Sequence, residues 1–146
     1  MRYLPDINVW LALSLDLHTH FPHARAWLSG VDTGSEVHFC RAAQQGLLRL
    51  ITTELVARRY GIAPLTNQQA WGIFDGYMMD ARIGYRDEPE GLMDVWRNLA
   101  SLPSASPKLW MDAYLAAFAK AGDYRLVTTD KAFKQFKGLD PLMLGE

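Results

Sequence analysis

Short apolar segments alternate along this chain with longer segments of helical periodicity, and this alternation constrains the fold more than any other feature. The apolar segments are those at 3–6, 37–39, 83–85, 124–127 and 142–144. Each is too short for a stable helix but long enough for a buried strand. Strands that alternate with helices predict an α/β fold with a central parallel sheet.

The segments between the predicted strands have the pattern of helices. We predict helices at 9–15, 22–30, 41–52, 67–79, 89–99 and 107–121. The last of them follows Ser106-Pro107, a pair typical of a helix start, with serine as the cap. Because no repeat, low-complexity tract or linker interrupts the pattern, residues 1–146 are expected to form a single domain.

Composition excludes several classes of protein. With 49% apolar and 21% charged residues, the chain can bury a core and is not disordered. The single cysteine, Cys40, excludes an internal disulfide framework and a multi-cysteine zinc site. No run of about 18 apolar residues is present, so no membrane span is expected. The opening segment MRYLPDINVW is too polar for a secretory signal, and we therefore expect a cytoplasmic protein.

The overall charge gives little attraction for nucleic acid. Fifteen basic residues stand against sixteen acidic ones, for a net charge of −1. No global positive field would therefore attract a polyanion. This argument weakens if some of the acids hold a divalent cation, since the cation would reverse the local charge. Binding of a polyanion would then depend strongly on the metal.

Two acids follow predicted strands directly. Asp6 ends the first strand, and Asp130 comes just after the strand at 124–127. Parallel α/β sheets place their sites at the carboxyl ends of strands, so these side chains would meet if the two strands are neighbours. Aspartate also commonly ends strands and caps helices, which is the structural alternative for either residue alone.

A third acid, Asp112, lies on an apolar helix face. Its neighbours at i+3, i+4 and i+7 are Leu115, Ala116 and Ala119. A carboxylate there costs several kcal/mol unless it is paired or neutralised. Two explanations are open: an ion pair with Lys108 at i−4, or a divalent cation shared with the other acids.

Three segments carry a resemblance to a known family: LPDINVWLAL, FCRAAQQGLLRLIT and MDAYLAAFAKAGDYRLVTTDKAF. Together they resemble PIN domains, and more narrowly the VapC-type toxins of bacterial type II toxin–antitoxin systems. The resemblance spans essentially the whole chain, and D-x-x-L-A-A followed by a strand and T-x-D is its most specific part. It implies a three-layer α/β/α sandwich and a metal-dependent endoribonuclease.

The resemblance also implies roles for individual residues. Asp6, Asp112 and Asp130 match the acids that bind Mg²⁺ or Mn²⁺. Asn8 and Thr129 match auxiliary polar positions that hold water on the metal or orient Asp6. The family further implies an RNA substrate, a homodimer and a VapB-like antitoxin that covers the site.

One position departs from the family pattern. Many members carry a glutamate in the helix after the second strand, where this chain has Gln44. An amide oxygen can bind Mg²⁺ or its waters but supplies no charge. The departure leaves an alternative open, a catalytically weakened PIN domain that binds RNA or an antitoxin. A phosphotransfer receiver domain is a more distant alternative, because it needs a pair of acids where this chain has only Asp6.

Basic residues near the three motifs are candidates for contact with the RNA backbone. They are Arg41, Arg49, Lys108, Lys131 and Lys134. For each of them the alternative is a solvated surface charge.

Overall fold

All 146 residues are described by a computed structural model, which contains one five-stranded sheet with helices packed against it. The strands are β1 (Arg2–Pro5), β2 (Glu36–Phe39), β3 (Ile83–Tyr85), β4 (Arg125–Thr128) and β5 (Leu142–Met143). Their order across the sheet is β3-β2-β1-β4-β5, and every neighbouring pair is parallel. The predicted α/β fold with a central parallel sheet is confirmed.

Seven α-helices connect and follow these strands. They are α1 (Ile7–Ser14), α2 (Phe21–Gly30), α3 (Arg41–Ile51), α4 (Glu54–Arg59), α5 (Asn67–Met78), α6 (Leu92–Ala100) and α7 (Leu109–Gly122). A 3₁₀ helix at Lys131–Gln135 follows β4. Neither α4 nor this 3₁₀ helix was among the predicted elements. None of the helices combines the length and the apolar character needed to cross a membrane.

The expected start of the last long helix is wrong by two residues. Its first residue is Leu109, and the cap position is Lys108, which makes no capping hydrogen bond through its side chain. Ser106 instead accepts a backbone hydrogen bond from Leu109 through its carbonyl oxygen, at 3.0 Å. Ser106 and Pro107 therefore belong to the turn that leads into α7.

The sheet separates two layers of helices, because consecutive strand residues point to opposite faces. On one face, Phe39 of β2 stacks on Trp10 of α1 at 3.7 Å between ring centroids and meets Phe74 of α5 at 5.1 Å. On the other face, His38 meets Tyr124, whose ring lies 5.7 Å from that of Phe118 in α7. The arrangement is the predicted three-layer α/β/α sandwich.

The register between β1 and β4 places the candidate site. Pro5, the last residue of β1, pairs with Val127. The next residues, Asp6 and Thr128, therefore lie side by side at the carboxyl edge of the sheet. Because β1 is the central strand, this edge is covered by helices from both layers.

Candidate active site

Asp6 is a buried carboxylate held by two hydrogen bonds. It follows β1 directly and caps α1, where its Oδ1 accepts a hydrogen bond from the backbone N–H of Val9 at 2.9 Å. Its Oδ2 accepts a hydrogen bond from the hydroxyl of Thr128 at 2.5 Å. Only 3% of Asp6 is exposed. Both oxygens are therefore fixed before any ligand binds.

Thr128 also ties Asp6 to the third acid of the site. Its Oγ1 accepts a hydrogen bond from the backbone N–H of Asp130 at 2.9 Å. Asp130 in turn caps the 3₁₀ helix, since its Oδ1 accepts a hydrogen bond from the N–H of Ala132 at 2.9 Å. One buried hydroxyl thus positions one acid by its side chain and another by its main chain.

The expectation that Thr129 orients Asp6 is corrected by this geometry. Thr128 is completely buried, and its side chain points towards β1. Thr129, the next residue, lies beyond the strand and donates no hydrogen bond to Asp6. Adjacent residues at the end of a strand point in different directions. Because two threonines follow each other here, the sequence alone could not indicate which of them contacts Asp6.

Asp112 enters the site from the first turn of α7. It is half-buried, and Lys108 is exposed and forms no ion pair with it. The alternative of a local Lys108–Asp112 pair is therefore excluded. The carboxylate is left without a basic partner.

The three acids border one cavity of about 170 Å³ at the carboxyl edge of the sheet. Asn8, which is exposed at the start of α1, also borders it. The structure thus brings together four of the predicted site residues, from three separate parts of the chain.

Burial and mutual repulsion raise the pKa values of Asp6 and Asp112. Burial and, to a smaller extent, the charges of Asp130 and Asp112 raise the pKa of Asp6 to about 6, although the hydrogen bonds from Thr128 and Val9 oppose the shift. The pKa of Asp112 is also raised, first by burial and then by the charge of Asp130. The site therefore has an excess of negative charge that the protein itself does not neutralise.

The donor set fits a hydrated divalent cation. No three histidine, cysteine or acidic side chains are arranged to hold an ion directly. The side-chain oxygens of Asp6 are both engaged, as is Oδ1 of Asp130, whereas Asp112 makes no side-chain hydrogen bond. Mg²⁺ usually keeps several waters and binds through one or two carboxylates together with substrate phosphate. The chain therefore offers anchoring points for a hydrated ion and not a closed cage.

Gln44 does not take part in this cavity. It is buried in α3, and its Oε1 accepts a hydrogen bond from Arg41 Nη1 at 2.5 Å. Gly46 and Arg49 are the α3 residues that border the cavity with the acids. The expectation that Gln44 supplies an oxygen to the metal is therefore not met by its position, and α3 contributes no acid to the site.

The five basic candidates are dispersed. Arg49 borders the acidic cavity, and Arg41 lies further along the same helix. Lys108 and Lys131 are exposed and do not border that cavity. Lys134 forms an ion pair with Glu146 at 2.6 Å. Arg49 is therefore the only one of the five that borders the acidic cavity.

Comparison with known proteins agrees with this arrangement. A family model described as PIN domain matches residues 3–139. The chain belongs to the PIN-domain family. Ribonuclease VapC41 of Mycobacterium tuberculosis is 48% identical to this PIN domain over 144 residues, which cover 98% of this chain and 99% of that protein. The resemblance to VapC-type PIN domains is confirmed.

Two solved structures share the fold of this PIN domain. VapBC2 from Rickettsia felis, bound to a DNA fragment from its promoter, matches with a TM-score of 0.69, 16% identity and 99% coverage of both chains. VapC20 of Mycobacterium tuberculosis, a toxin that cleaves the sarcin–ricin loop, matches with a TM-score of 0.65 at 14% identity, over 97% of this chain and 98% of that one. At these identities the likeness concerns the fold alone.

Proposed function

We propose that this PIN domain is a divalent-metal-dependent endoribonuclease that acts in the cytoplasm as a VapC-type toxin. The observation that carries the proposal is the set of three acids, Asp6, Asp112 and Asp130, around one cavity without a basic partner. The full-length similarity to Ribonuclease VapC41 supports RNA as the substrate.

Hydrolysis of a phosphodiester needs a nucleophilic water and neutralised charge on the phosphate oxygens. A bound Mg²⁺ or Mn²⁺ supplies both. Asp6, Asp112 and Asp130 would hold the ion. Asp112 makes no side-chain hydrogen bond, so its oxygens are free to accept a hydrogen bond from the attacking water. Because water attacks and the 2′-hydroxyl is not needed, the products should carry 5′-phosphate and 3′-hydroxyl ends.

Cleavage of an RNA panel tests this proposal. The full chain, purified free of any antitoxin, should cleave RNA in Mg²⁺ or Mn²⁺ and stop in EDTA. Asp6→Asn should abolish cleavage, whereas Asp75→Asn, which changes an exposed acid on α5, should not. If folded wild-type protein cleaves no RNA faster than Asp6→Asn in either metal, the nuclease proposal is wrong.

The weakened-module alternative keeps one supporting observation, since α3 places no acid in the cavity. A binding module would retain RNA or antitoxin in the absence of cleavage. The same RNA panel distinguishes the nuclease from the binding module. If the binding module is correct, RNA is retained in a filter-binding assay but no metal-dependent cleavage products form.

A homodimer and a VapB-like antitoxin belong to the same proposal. Several large apolar side chains remain on the surface, among them Leu17 at 65% and Leu55 at 73% exposure. Where such side chains form a contiguous patch, the patch is typical of a surface that is covered by a partner. Light scattering of the purified chain would measure the dimer. Co-expression with the product of the neighbouring gene should suppress RNA cleavage if that gene encodes the antitoxin.

A further inference from the structure

A second and larger cavity adjoins the acidic one. It is a groove of about 790 Å³ between α3 and α7, called here the α3–α7 groove. The two cavities share four bordering residues: Ile7, Gly46, Arg49 and Met111. They are therefore continuous, and a chain bound with one phosphate at the acids could extend along the groove.

The two arginines of the groove suit a nucleotide chain. Arg49 borders both cavities and forms no ion pair with any of the acids. It is placed to contact a phosphate at the junction. Arg41 lies further along, with its guanidinium 4.6 Å above the ring centroid of Tyr85. A guanidinium plane supported in this way is a surface on which an unpaired base can stack.

Glu88 is the one acid that borders the groove, and it does not suit a phosphate. The hydroxyl of Tyr114, on α7, donates a hydrogen bond to its Oε1 at 3.3 Å. Neither arginine of the groove forms an ion pair with it. An ionised carboxylate only accepts hydrogen bonds, so its ligand must donate them. The donors of RNA are the amino and imino groups of the bases and the 2′-hydroxyl.

We propose that Glu88 reads the nucleobase beside the scissile phosphate, and that it favours bases with an amino group on the Watson–Crick edge over uracil. This inference rests on the proposed nuclease function. Guanine, adenine and cytosine each present an amino donor to the carboxylate. Uracil presents one N–H between two carbonyl oxygens, and those oxygens repel a carboxylate. The groove would thus recognise an unpaired base, because a paired base has its edge occupied.

The test compares RNA oligonucleotides that differ only at the nucleotide on either side of one cleavage position. With the wild-type chain in Mg²⁺, we expect a base preference at the nucleotide on one side of the cleavage position. There, kcat/KM for the uracil substrate should be about tenfold below that for substrates with an amino-bearing base, because one charged hydrogen bond is lost. Glu88→Gln should reduce this difference to less than about threefold, since an amide both donates and accepts. Glu90→Gln, an exposed acid of the same loop that does not border the groove, should keep the wild-type difference.

The outcomes separate the two proposals. Absence of cleavage by the folded wild-type chain would overturn the nuclease proposal itself. Cleavage with equal kcat/KM for all four bases on both sides would overturn only the role of Glu88. The same holds if Glu88→Gln keeps the full difference while its thermal unfolding matches that of the wild type. Tyr114→Phe, which removes the donor to Glu88, should give a smaller loss of discrimination than Glu88→Gln.

Discussion

At the scale of single residues, the site is organised by one hydroxyl. Thr128 donates a hydrogen bond to Asp6 and accepts one from the main chain of Asp130. Two acids from opposite ends of the chain therefore share one hydrogen-bond partner. The acids could be identified from their positions after strands and on an apolar helix face. The hydroxyl could not, because Thr128 and Thr129 are chemically identical and only the register of β1 with β4 distinguishes them.

Removing that hydroxyl should weaken both the fold and the site. Thr128→Val keeps the shape but leaves Oδ2 of Asp6 and the N–H of Asp130 without their partner. We expect a loss of about 2 kcal/mol in the free energy of unfolding at pH 8 and a higher Mg²⁺ requirement for RNA cleavage. Urea unfolding and metal titration of the cleavage rate measure the two effects. Thr129→Val is the matched control, and an equal loss there would contradict the role of Thr128.

The charge of Asp6 should destabilise the metal-free protein at neutral pH. Folding raises its pKa from 3.8 to about 6, so the folded state binds the proton more tightly than the unfolded state. This contribution is fully present below pH 3.8 and is lost as pH rises through 6. At pH 8 in EDTA, Asp6→Asn should therefore be more stable than the wild type by up to about 3 kcal/mol.

Urea unfolding at pH 4 and pH 8 measures this difference. The two proteins should be nearly equal at pH 4, and Mg²⁺ at pH 8 should stabilise the wild type more than the variant. A variant that is less stable than the wild type at pH 8 in EDTA would show that the ionised carboxylate is instead stabilising.

At the scale of elements, the site depends on a close approach of α1 and α3. A Cβ placed on Gly46 of α3 would lie 2.6 Å from Cδ1 and 2.9 Å from Cγ1 of Ile7, the first residue of α1. With the Ile7 side chain in its present position, the lack of a Cβ on Gly46 lets α1 lie this close to the helix that bears Arg49. Both helices could be predicted from the sequence, but the distance between them could not.

Gly46→Ala should therefore push α1 and α3 apart. We expect it to cost about 1–3 kcal/mol, the usual range for overpacking, although alanine is the better helix former. Adding Ile7→Ala should recover part of the loss, so that the double variant is more stable than the sum of the two single changes predicts. Chemical unfolding of the four proteins gives the coupling energy. Strict additivity would mean that the contact does not limit the approach.

The elements themselves were largely predictable, and the exceptions have local causes. Periodicity identified six of the seven helices, and the five strand segments were all found. Helix α4 is only six residues long, with a single buried residue, Ala57, so it has too few apolar positions to show a period. The 3₁₀ helix after Asp130 is only five residues long, too short to show a period, although a capping role for Asp130 was one of the two possibilities that the sequence left open.

At the scale of the whole molecule, a buried histidine on the other face of the sheet changes the stability with pH in the direction opposite to Asp6. His38 is 2% exposed, and its Nδ1 shares a hydrogen bond of 2.7 Å with the hydroxyl of Tyr124, whose oxygen also accepts a hydrogen bond from Arg2. Burial, followed by the charge of Arg86, lowers the pKa of His38 from 6.5 to about 4. The folded protein thus binds the proton more weakly there, and this contribution to stability is present above pH 6.5 and lost as pH falls towards 4.

Between about pH 4 and 6, the pH-dependent contributions of Asp6 and His38 to the free energy of unfolding should nearly cancel. In EDTA these two contributions should oppose each other in the wild type, while single variants reveal slopes of opposite sign. Asp6→Asn should lose stability as pH falls, and His38→Gln should gain it, each by about 2–3 kcal/mol. Equilibrium unfolding at half-unit pH intervals measures these slopes. Parallel profiles for the two variants would contradict this balance.

The order of the strands has a consequence for how the enzyme is made. The central strand, β1, is synthesised first, but its partner β4 begins only at Arg125. Contacts between such distant segments form late, since a long loop must close before they are gained. A nascent chain that ends before Arg125 holds Asp6 and Asp112 but lacks Thr128 and Asp130. The acidic site is thus completed only after β4 and Asp130 have been synthesised.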